Sequence, residues 1–335
     1  MALRLAISGF GRIGRMVLRA LVESGRDDVE IVLINTPGPV DASAHLYEFD
    51  SVHGRAQGDV THGDGWMDVG RGRIAMTHER DPSAIPHAAH GIDIVLECSG
   101  HFNTRDKAAA HLDGGARRVL VSAPCKSPDA TIVYGVNHHE ITPDMLVISN
   151  ASCTTNGLAP VAHVMAESVG IEAGYMTTIH AYTGDQPTLD SSHKDLRRAR
   201  AAALSMIPTS TGAAKAVGLV LPELAGKLDG TAVRVPTPNV SMIDLVFEAK
   251  SKTTVEAINA AISKAAAGPL KGVLGVCDQP MVSIDFNHNP HSSTFDLTQT
   301  QIVGGKLVRV LSWYDNEWGF ANRMSDTAVA MGKLG

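Results

Sequence analysis

A glycine-rich turn near the N-terminus constrains the fold of this chain more than any other sequence feature. A short alternating strand pattern over 3–7 runs directly into Gly9-Phe10-Gly11-Arg12-Ile13-Gly14, and a helical pattern of apolar residues begins inside that turn. A strand, a tight glycine turn and a helix N-terminus together form a unit that binds the pyrophosphate of a dinucleotide. The same turn could serve packing alone, but the strand before it and the helix after it favour nucleotide binding.

The first half of the chain continues with strands and crossovers. Strand-like apolar runs lie at 30–35, 92–96, 119–121, 131–133 and 146–148, with helical or loop segments between several of them. Strands that alternate with crossovers predict a doubly wound parallel sheet, and therefore an α/β fold. At 335 residues the chain is long enough for two domains, each with its own core.

Composition excludes several classes of protein. A formal net charge of −6 argues against binding to nucleic acid or to an anionic membrane, because both carry negative charge. No apolar run approaches the roughly 18 residues that span a bilayer, and no signal-peptide pattern precedes the first strand. The four cysteines lack CxxC spacing, so neither a metal site nor a disulfide framework is indicated. These features predict a soluble cytoplasmic protein.

The segment Ser149-Asn150-Ala151-Ser152-Cys153-Thr154-Thr155-Asn156 places one cysteine among small polar side chains, directly before a helical apolar run. A helix start stabilises a thiolate, which makes Cys153 a candidate nucleophile; a buried structural thiol is the alternative. A cysteine nucleophile needs a basic partner, and His180 ends a predicted strand over 175–180 beside a polar loop. The sequence leaves open whether the two side chains touch.

Small hydroxyl side chains and arginines suggest that the substrate carries phosphate. Residues 209–214 are rich in Ser, Thr and small residues before another helix, and Arg234 closes a predicted strand over 231–235. Hydroxyls, helix-start amides and arginines suit phosphate groups. The basic cluster over 194–200 could also be a nucleic-acid patch or a solvated or interfacial charge run. Taken together, these features favour a phosphorylated small molecule over a polymer.

Over essentially its whole length the chain resembles the phosphorylating (type I) glyceraldehyde-3-phosphate dehydrogenases. The resemblance rests on GFGRIGR at Gly9–Arg15, FDSVHGR at Phe49–Arg55, ECSGHF at Glu97–Phe102, SNASCTTNGLAP at Ser149–Pro160, HAYTGDQ at His180–Gln186, HKDLRRARAAA at His193–Ala203, PTSTGAAKAVG at Pro208–Gly218, RVPTPNVS at Arg234–Ser241 and SWYDNEWGFANRM at Ser312–Met324.

The resemblance implies an aldehyde oxidation in which Cys153 is the nucleophile and His180 is its partner. Glyceraldehyde 3-phosphate and inorganic phosphate would be the substrates, and 1,3-bisphosphoglycerate the product. The substrate phosphate would contact Thr183 and Arg234 with Arg198 nearby, and the attacking phosphate would contact Ser152, Thr154, Thr211 and Gly212. The cofactor would contact Gly9, Gly11, Arg12, Ile13, Gly14, Thr36, Arg80, Ser99, Ser122 and Asn316, and also Ser191 and Ser192.

Departures from the family pattern concern the choice between NAD and NADP. Dinucleotide folds selective for NAD usually place Asp or Glu about 20 residues past the glycines, where it binds the ribose 2′-hydroxyl. Thr36 stands at that distance here, whereas NAD-specific family members usually carry Asn-Asp where this chain has Asn35-Thr36. They also commonly carry Leu-Pro in place of Ser191-Ser192. NAD remains compatible, and both departures point toward acceptance of NADP.

The resemblance also implies the domain organisation and assembly. A dinucleotide-binding domain would span 1–151, with a C-terminal helix over 315–335 packing back on it. A catalytic domain over 152–314 would contain a mostly antiparallel sheet, and the chain would form a homotetramer with the 182–200 loop at a subunit interface. The alternatives are erythrose-4-phosphate dehydrogenase, which lacks the Ser-Thr-Gly-Ala-Ala pattern found at 210–214, and a non-catalytic role.

Overall fold

The computed structural model describes residues 2–334. One compact unit comprises 2–152 with 321–334, and the other comprises Cys153–Phe320. The helices are α1 Arg12–Glu23, α2 Val40–Glu48, α3 Arg105–Asp113, α4 Cys153–Ser168, α5 Ala213–Val220, α6 Val255–Ala267 and α7 Trp318–Gly332.

The first unit is built on a nine-stranded sheet in the order β10-β11-β9-β8-β1-β2-β7-β6-β5, and β3 pairs with β4 apart from it. In this order, the strands from β10 through β7 run parallel to their neighbours. β6 pairs with β7, and β5 with β6, in antiparallel fashion. Their bounds are β1 Leu3–Ser8, β2 Val29–Asn35, β3 Phe49–Asp50, β4 Gly54–Arg55, β5 Thr61–Gly63, β6 Trp66–Asp68, β7 Arg73–Thr77, β8 Ile94–Glu97, β9 Arg118–Val121, β10 Ala130–Thr131 and β11 Val147–Ser149.

This sheet confirms the predicted doubly wound topology. Successive residues of the inner strands are buried whichever face they point to, as Leu33 and Ile34 are on β2. Strands covered on both faces are typical of parallel sheets. The strand order reverses between β1 and β8, and such switch points are where dinucleotides bind. The strand predicted over 131–133 ends earlier, at Thr131, because the Val133 amide turns to donate to the Asn137 side chain at 2.9 Å.

The second unit is built on an eight-stranded sheet in the order β13-β14-β12-β15-β19-β17-β16, and β18 pairs with β19. Two neighbouring pairs, β12/β14 and β16/β17, are parallel; the others are antiparallel, as predicted. The bounds are β12 Ile171–Ala181, β13 Ile207–Ser210, β14 Leu228–Val235, β15 Ser241–Ala249, β16 Leu274–Cys277, β17 Ser293–Asp296, β18 Gln301–Val303 and β19 Leu307–Tyr314.

The C-terminal helix is shorter than the 315–335 that the sequence suggested. It begins at Trp318 because the Asp315 carboxylate accepts hydrogen bonds from the Glu317 and Trp318 amides at 2.9 and 2.8 Å, as an N-cap does. It ends at Gly332, and from Ala321 onward it belongs to the first unit.

The part of the chain that the structure describes contains neither a helix able to span a membrane nor a cluster of metal ligands. No helix there is both long and apolar enough to cross a membrane. No group of three or more His, Cys, Asp or Glu side chains among residues 2–334 could hold a metal ion.

Candidate active site

Cys153 and His180 meet in the second unit. Cys153 is the first residue of α4, and its Sγ lies 3.6 Å from Nε2 of His180, which is carried near the end of β12. The turn from β11 into α4 is tight, since Ala151 adopts a left-handed backbone with φ of 56°. This turn therefore places the Cys153 thiol at the start of α4, where it faces the His180 imidazole.

Burial disfavours the charged form of each side chain, namely the Cys153 thiolate and the His180 imidazolium. Burial raises the pKa of the Cys153 thiol, and the positive charge of Arg234 opposes that rise. Burial lowers the pKa of His180 to about 3, with a further lowering from Arg234. The helix start and the Arg234 guanidinium are the features of this site that favour a thiolate at Cys153.

The Nδ1 side of His180 is contacted by both an acceptor and a donor. Nδ1 lies 2.6 Å from the Ala181 carbonyl oxygen, which can only accept, and 3.0 Å from a guanidinium nitrogen of Arg234, which can only donate. The contact with the carbonyl is the shorter of the two and favours the tautomer that carries the proton on Nδ1 and leaves Nε2 as an acceptor facing Cys153. Arg234 donates to the same carbonyl at 2.9 Å. An acceptor nitrogen directed at a thiol is the arrangement that a general base requires.

Strand register explains how Arg234 reaches this site. On the parallel pair β12 and β14, His180 stands opposite Arg234. The Arg234 guanidinium also donates to the Thr183 hydroxyl at 3.3 Å, and its Nε is buried with no hydrogen-bond partner among the described residues. A buried donor left without a partner fits an anionic ligand, because an unpaired buried donor costs free energy.

Tyr314 joins the helix that carries Cys153 to the strand that carries His180. Its hydroxyl lies 2.8 Å from the Thr154 hydroxyl on α4 and 2.9 Å from the Thr178 hydroxyl on β12. Its ring also meets the His180 ring edge to face, with centroids 5.9 Å apart. Burial raises the pKa of Tyr314, so the phenol keeps its proton and can act as a donor.

Asn316 is connected to the same strand through Ser241. The Ser241 hydroxyl accepts from the Ala181 amide at 3.1 Å and donates to the Asn316 side-chain oxygen at 2.7 Å. Because its oxygen is occupied in this way, the orientation of the buried Asn316 amide is fixed.

The segment that leads into α5 offers a second place for an anion. The Thr211 hydroxyl accepts from the Ala213 amide at 3.2 Å, and open space lies where a side chain at Gly212 would stand. Arg198 organises this segment by donating to the Thr209 hydroxyl at 2.9 Å and to the Ser210 carbonyl at 3.2 Å.

The glycine turn of the first unit forms a tight cradle after β1. Gly9 has φ of 91°, and a Cβ there would lie 2.4 Å from the backbone of Ser99, which follows β8. A Cβ on Gly14 would lie 2.3 Å from the Gly9 carbonyl oxygen. No side chain caps the start of α1, and a Cβ on Gly11 would meet nothing within 4 Å. These residues therefore fit a pyrophosphate at the switch point between β1 and β8.

A buried carboxylate fixes the other side of this cradle. Glu97 accepts from the Ser99 amide at 2.8 Å and from the Ser99 hydroxyl, and His111 contacts its second oxygen at 2.9 Å. The Ser122 amide donates to the Glu97 carbonyl at 2.9 Å, which sets Ser122 after β9 at the same sheet edge. Burial raises the pKa of the neighbouring Cys98 to about 12, so this thiol is a poor nucleophile.

Comparison with known proteins identifies the family. The family model described as "Glyceraldehyde 3-phosphate dehydrogenase, NAD binding domain" matches residues 3–105, and the model described as its C-terminal domain matches 152–316. The glyceraldehyde-3-phosphate dehydrogenase of Xanthobacter flavus is 69% identical over 335 residues, covering 100% of both chains. The chain belongs to the glyceraldehyde-3-phosphate dehydrogenase family. Its relatives in Cereibacter sphaeroides and Geobacillus stearothermophilus are 67% and 51% identical, again over 100% of both chains.

Membership of the glyceraldehyde-3-phosphate dehydrogenase family confirms the predicted resemblance and the α/β fold class. The chain is an oxidoreductase that depends on a nicotinamide dinucleotide, and its N-terminal part is the NAD-binding domain. Both NAD and NADP are compatible with these findings.

The structure brings together part of the predicted site. Cys153, Thr154, His180, Thr183 and Arg234 form one connected group in the second unit. Thr36, at the end of β2, belongs to the first unit, whereas the exposed Ser191 and Ser192 belong to the second.

Tyr314, Ser241 and Thr178 were missed by sequence reasoning. Tyr314 lies inside the SWYDNEWGFANRM motif, two residues before Asn316, and this position was the one available signal for it. Ser241 closes the RVPTPNVS motif, whereas Thr178 lies outside the quoted motifs. The contacts of both depend on which strands become neighbours.

Proposed function

We propose that this chain oxidises glyceraldehyde 3-phosphate to 1,3-bisphosphoglycerate through a thioester on Cys153. The observation that carries the proposal is the Cys153–His180 contact of 3.6 Å beside Arg234, whose buried Nε has no partner among the described residues. A thiol, a base and a buried cation are what covalent catalysis on a phosphorylated aldehyde requires.

The first step forms the covalent bond. Sγ of Cys153 adds to the aldehyde carbon, while Nε2 of His180 takes the thiol proton and returns it to the carbonyl oxygen, which gives a hemithioacetal. His180 then takes the hydroxyl proton as the carbon loses its hydrogen as hydride. When bound, the nicotinamide ring supplies the acceptor for that hydride.

The second half of the reaction releases the product. Inorganic phosphate attacks the thioester carbon, the C–S bond breaks, and the proton held on His180 returns to the Cys153 sulfur. The thioester retains the free energy of the oxidation, so the product is an acyl phosphate. A hydrolytic step would lose that free energy.

We assign the two anion-binding groups as follows. Arg234 and Thr183 hold the phosphate of the substrate, with Arg198 nearby, and the attacking phosphate occupies the opening before α5. Its partners there are Ser152, Thr154, Thr211 and Gly212.

The first unit would hold the dinucleotide at its switch point, and its contacts there are Gly9, Gly11, Arg12, Ile13, Gly14, Thr36, Arg80, Ser99 and Ser122. In the second unit the fixed amide of Asn316 suits the carboxamide of a nicotinamide ring. Ser191 and Ser192 would reach the cofactor of a neighbouring subunit. The domains follow the boundaries 1–151 and 152–314.

Thr36 supports acceptance of NADP as well as NAD, since it has no charge to repel a 2′-phosphate.

The assembly is a cytoplasmic homotetramer. The 182–206 segment leaves four large apolar side chains exposed by 74 to 83%, namely Leu189, Leu196, Leu204 and Met206. Such a concentration of exposed apolar surface supports its burial against another copy of the chain.

The test measures aldehyde oxidation with and without inorganic phosphate, and identifies the product. Phosphate-dependent formation of an acyl phosphate is expected, and it should be lost in Cys153→Ser but retained in the matched variant Cys125→Ser. Phosphate-independent oxidation, with erythrose 4-phosphate preferred over glyceraldehyde 3-phosphate, would instead establish the erythrose-4-phosphate alternative.

A further inference from the structure

We propose that His78 binds the 2′-phosphate of NADP and thereby favours that cofactor. The proposal rests on the proposed use of NADP and extends it to a residue that neither the motifs nor the comparisons single out. His78 lies just beyond the end of β7, is exposed, and donates from Nδ1 to the Thr36 carbonyl oxygen at 2.8 Å.

Sheet topology places His78 beside the ribose position. β2 and β7 are parallel neighbours, with Asn35 opposite Thr77 in the register, so their carboxyl ends lie at the same sheet edge. In a doubly wound fold the residue at the end of the second strand recognises the ribose 2′ position. Here that residue is Thr36, and the His78 ring is hydrogen-bonded to its carbonyl oxygen.

A clamp holds the segment after β7 in place. The buried Asn35 side chain donates to the Glu79 carbonyl at 2.9 Å, and it accepts from the Thr77 hydroxyl and the Glu79 amide, each also at 2.9 Å. These three hydrogen bonds hold the Thr77 side chain before His78 and the Glu79 backbone after it. The ring is therefore positioned in advance, which lowers the entropic cost of using it to bind a ligand.

The hydrogen bond to Thr36 determines which ring nitrogen can reach a phosphate. The carbonyl can only accept, so Nδ1 carries a proton and Nε2 is left for a ligand. Nε2 can donate to a phosphate oxygen when the ring is an imidazolium, in a charge-assisted hydrogen bond. A ribose without the 2′-phosphate gains nothing from this cation.

The decisive experiment compares two adenosine probes on the full-length enzyme by calorimetry. Adenosine 2′,5′-bisphosphate carries the 2′-phosphate and adenosine 5′-monophosphate lacks it. The variant His78→Gln keeps an amide donor for the Thr36 carbonyl but cannot become a cation. We expect it to bind the bisphosphate about five- to tenfold more weakly, with monophosphate binding changed less than about twofold.

Two further variants complete the test. His62→Gln, at another exposed histidine on β5, should leave both affinities unchanged, and His78→Arg should restore the preference for the bisphosphate. Equal weakening of both probes by His78→Gln, or no weakening of either, would overturn the proposal. Phosphate-dependent aldehyde oxidation with NAD, measured on the same variants, tests the proposed function separately, because that reaction needs no 2′-phosphate.

Discussion

Tyr314 provides a direct test of how Cys153 and His180, the proposed nucleophile and base, are held together. The change Tyr314→Phe keeps the ring that meets His180 and removes only the hydroxyl that bonds to Thr154 and Thr178. Both threonines are nearly fully buried, at 4% and 1% exposure, so their hydroxyls lose a partner that water does not readily replace. Two hydrogen bonds at about 1 kcal/mol each predict a loss of about 2 kcal/mol in the free energy of unfolding.

The effect on activity follows from positioning. Since α4 carries Cys153 and β12 carries His180, loosening the bridge between them lets their separation drift from 3.6 Å. Small displacements of catalytic groups are costly, so we expect kcat for glyceraldehyde 3-phosphate oxidation to fall about tenfold, with KM within about twofold.

Steady-state kinetics and urea unfolding would measure both effects. Tyr175→Phe is the matched control, because the Tyr175 side chain is 52% exposed on the same strand as His180. A Tyr314→Phe enzyme that loses stability but keeps wild-type kcat would refute the positioning argument.

Three other predictions concern charge. Replacing Thr36 with Asp should weaken NADP binding about tenfold or more while NAD binding changes little, because the carboxylate repels a 2′-phosphate; equal effects on both titrations would contradict this. Arg234→Gln should raise KM for glyceraldehyde 3-phosphate by about 10- to 100-fold through loss of a charge-assisted hydrogen bond, and an unchanged KM would remove Arg234 from the phosphate site. Burial, with a smaller contribution from His111, lowers the pKa of His87 to about 4. Below about pH 6.5 the unfolded chain therefore binds more protons at this histidine than the folded chain does. The free energy of unfolding should consequently fall as the pH drops from 6.5 toward 4. Urea unfolding of His87→Asn should show a pH slope shallower by up to about 1.4 kcal/mol per pH unit than the wild type, and an identical slope would exclude this histidine.

The local units of this protein follow from its amino-acid sequence alone. The alternating strand, the glycine turn and the helix pattern after Gly14 depend on neighbouring residues only, so they could be read directly as β1, the cradle and α1. The same holds for Cys153, whose position at a helix start depends on the few residues around it. Family motifs then added His180 and Arg234 as expected partners.

Which of these units come into contact depends on the tertiary fold. His180 stands opposite Arg234 because β12 and β14 are parallel neighbours in one register, and Tyr314 reaches both α4 and β12 from the end of β19. His78 touches Thr36 because β7 lies next to β2, although 42 residues separate them in the chain. The α7 start at Trp318 was likewise set by the orientation of the Asp315 side chain. Strand order and register follow from how the whole core packs, so contacts between distant residues have no signal in a local pattern.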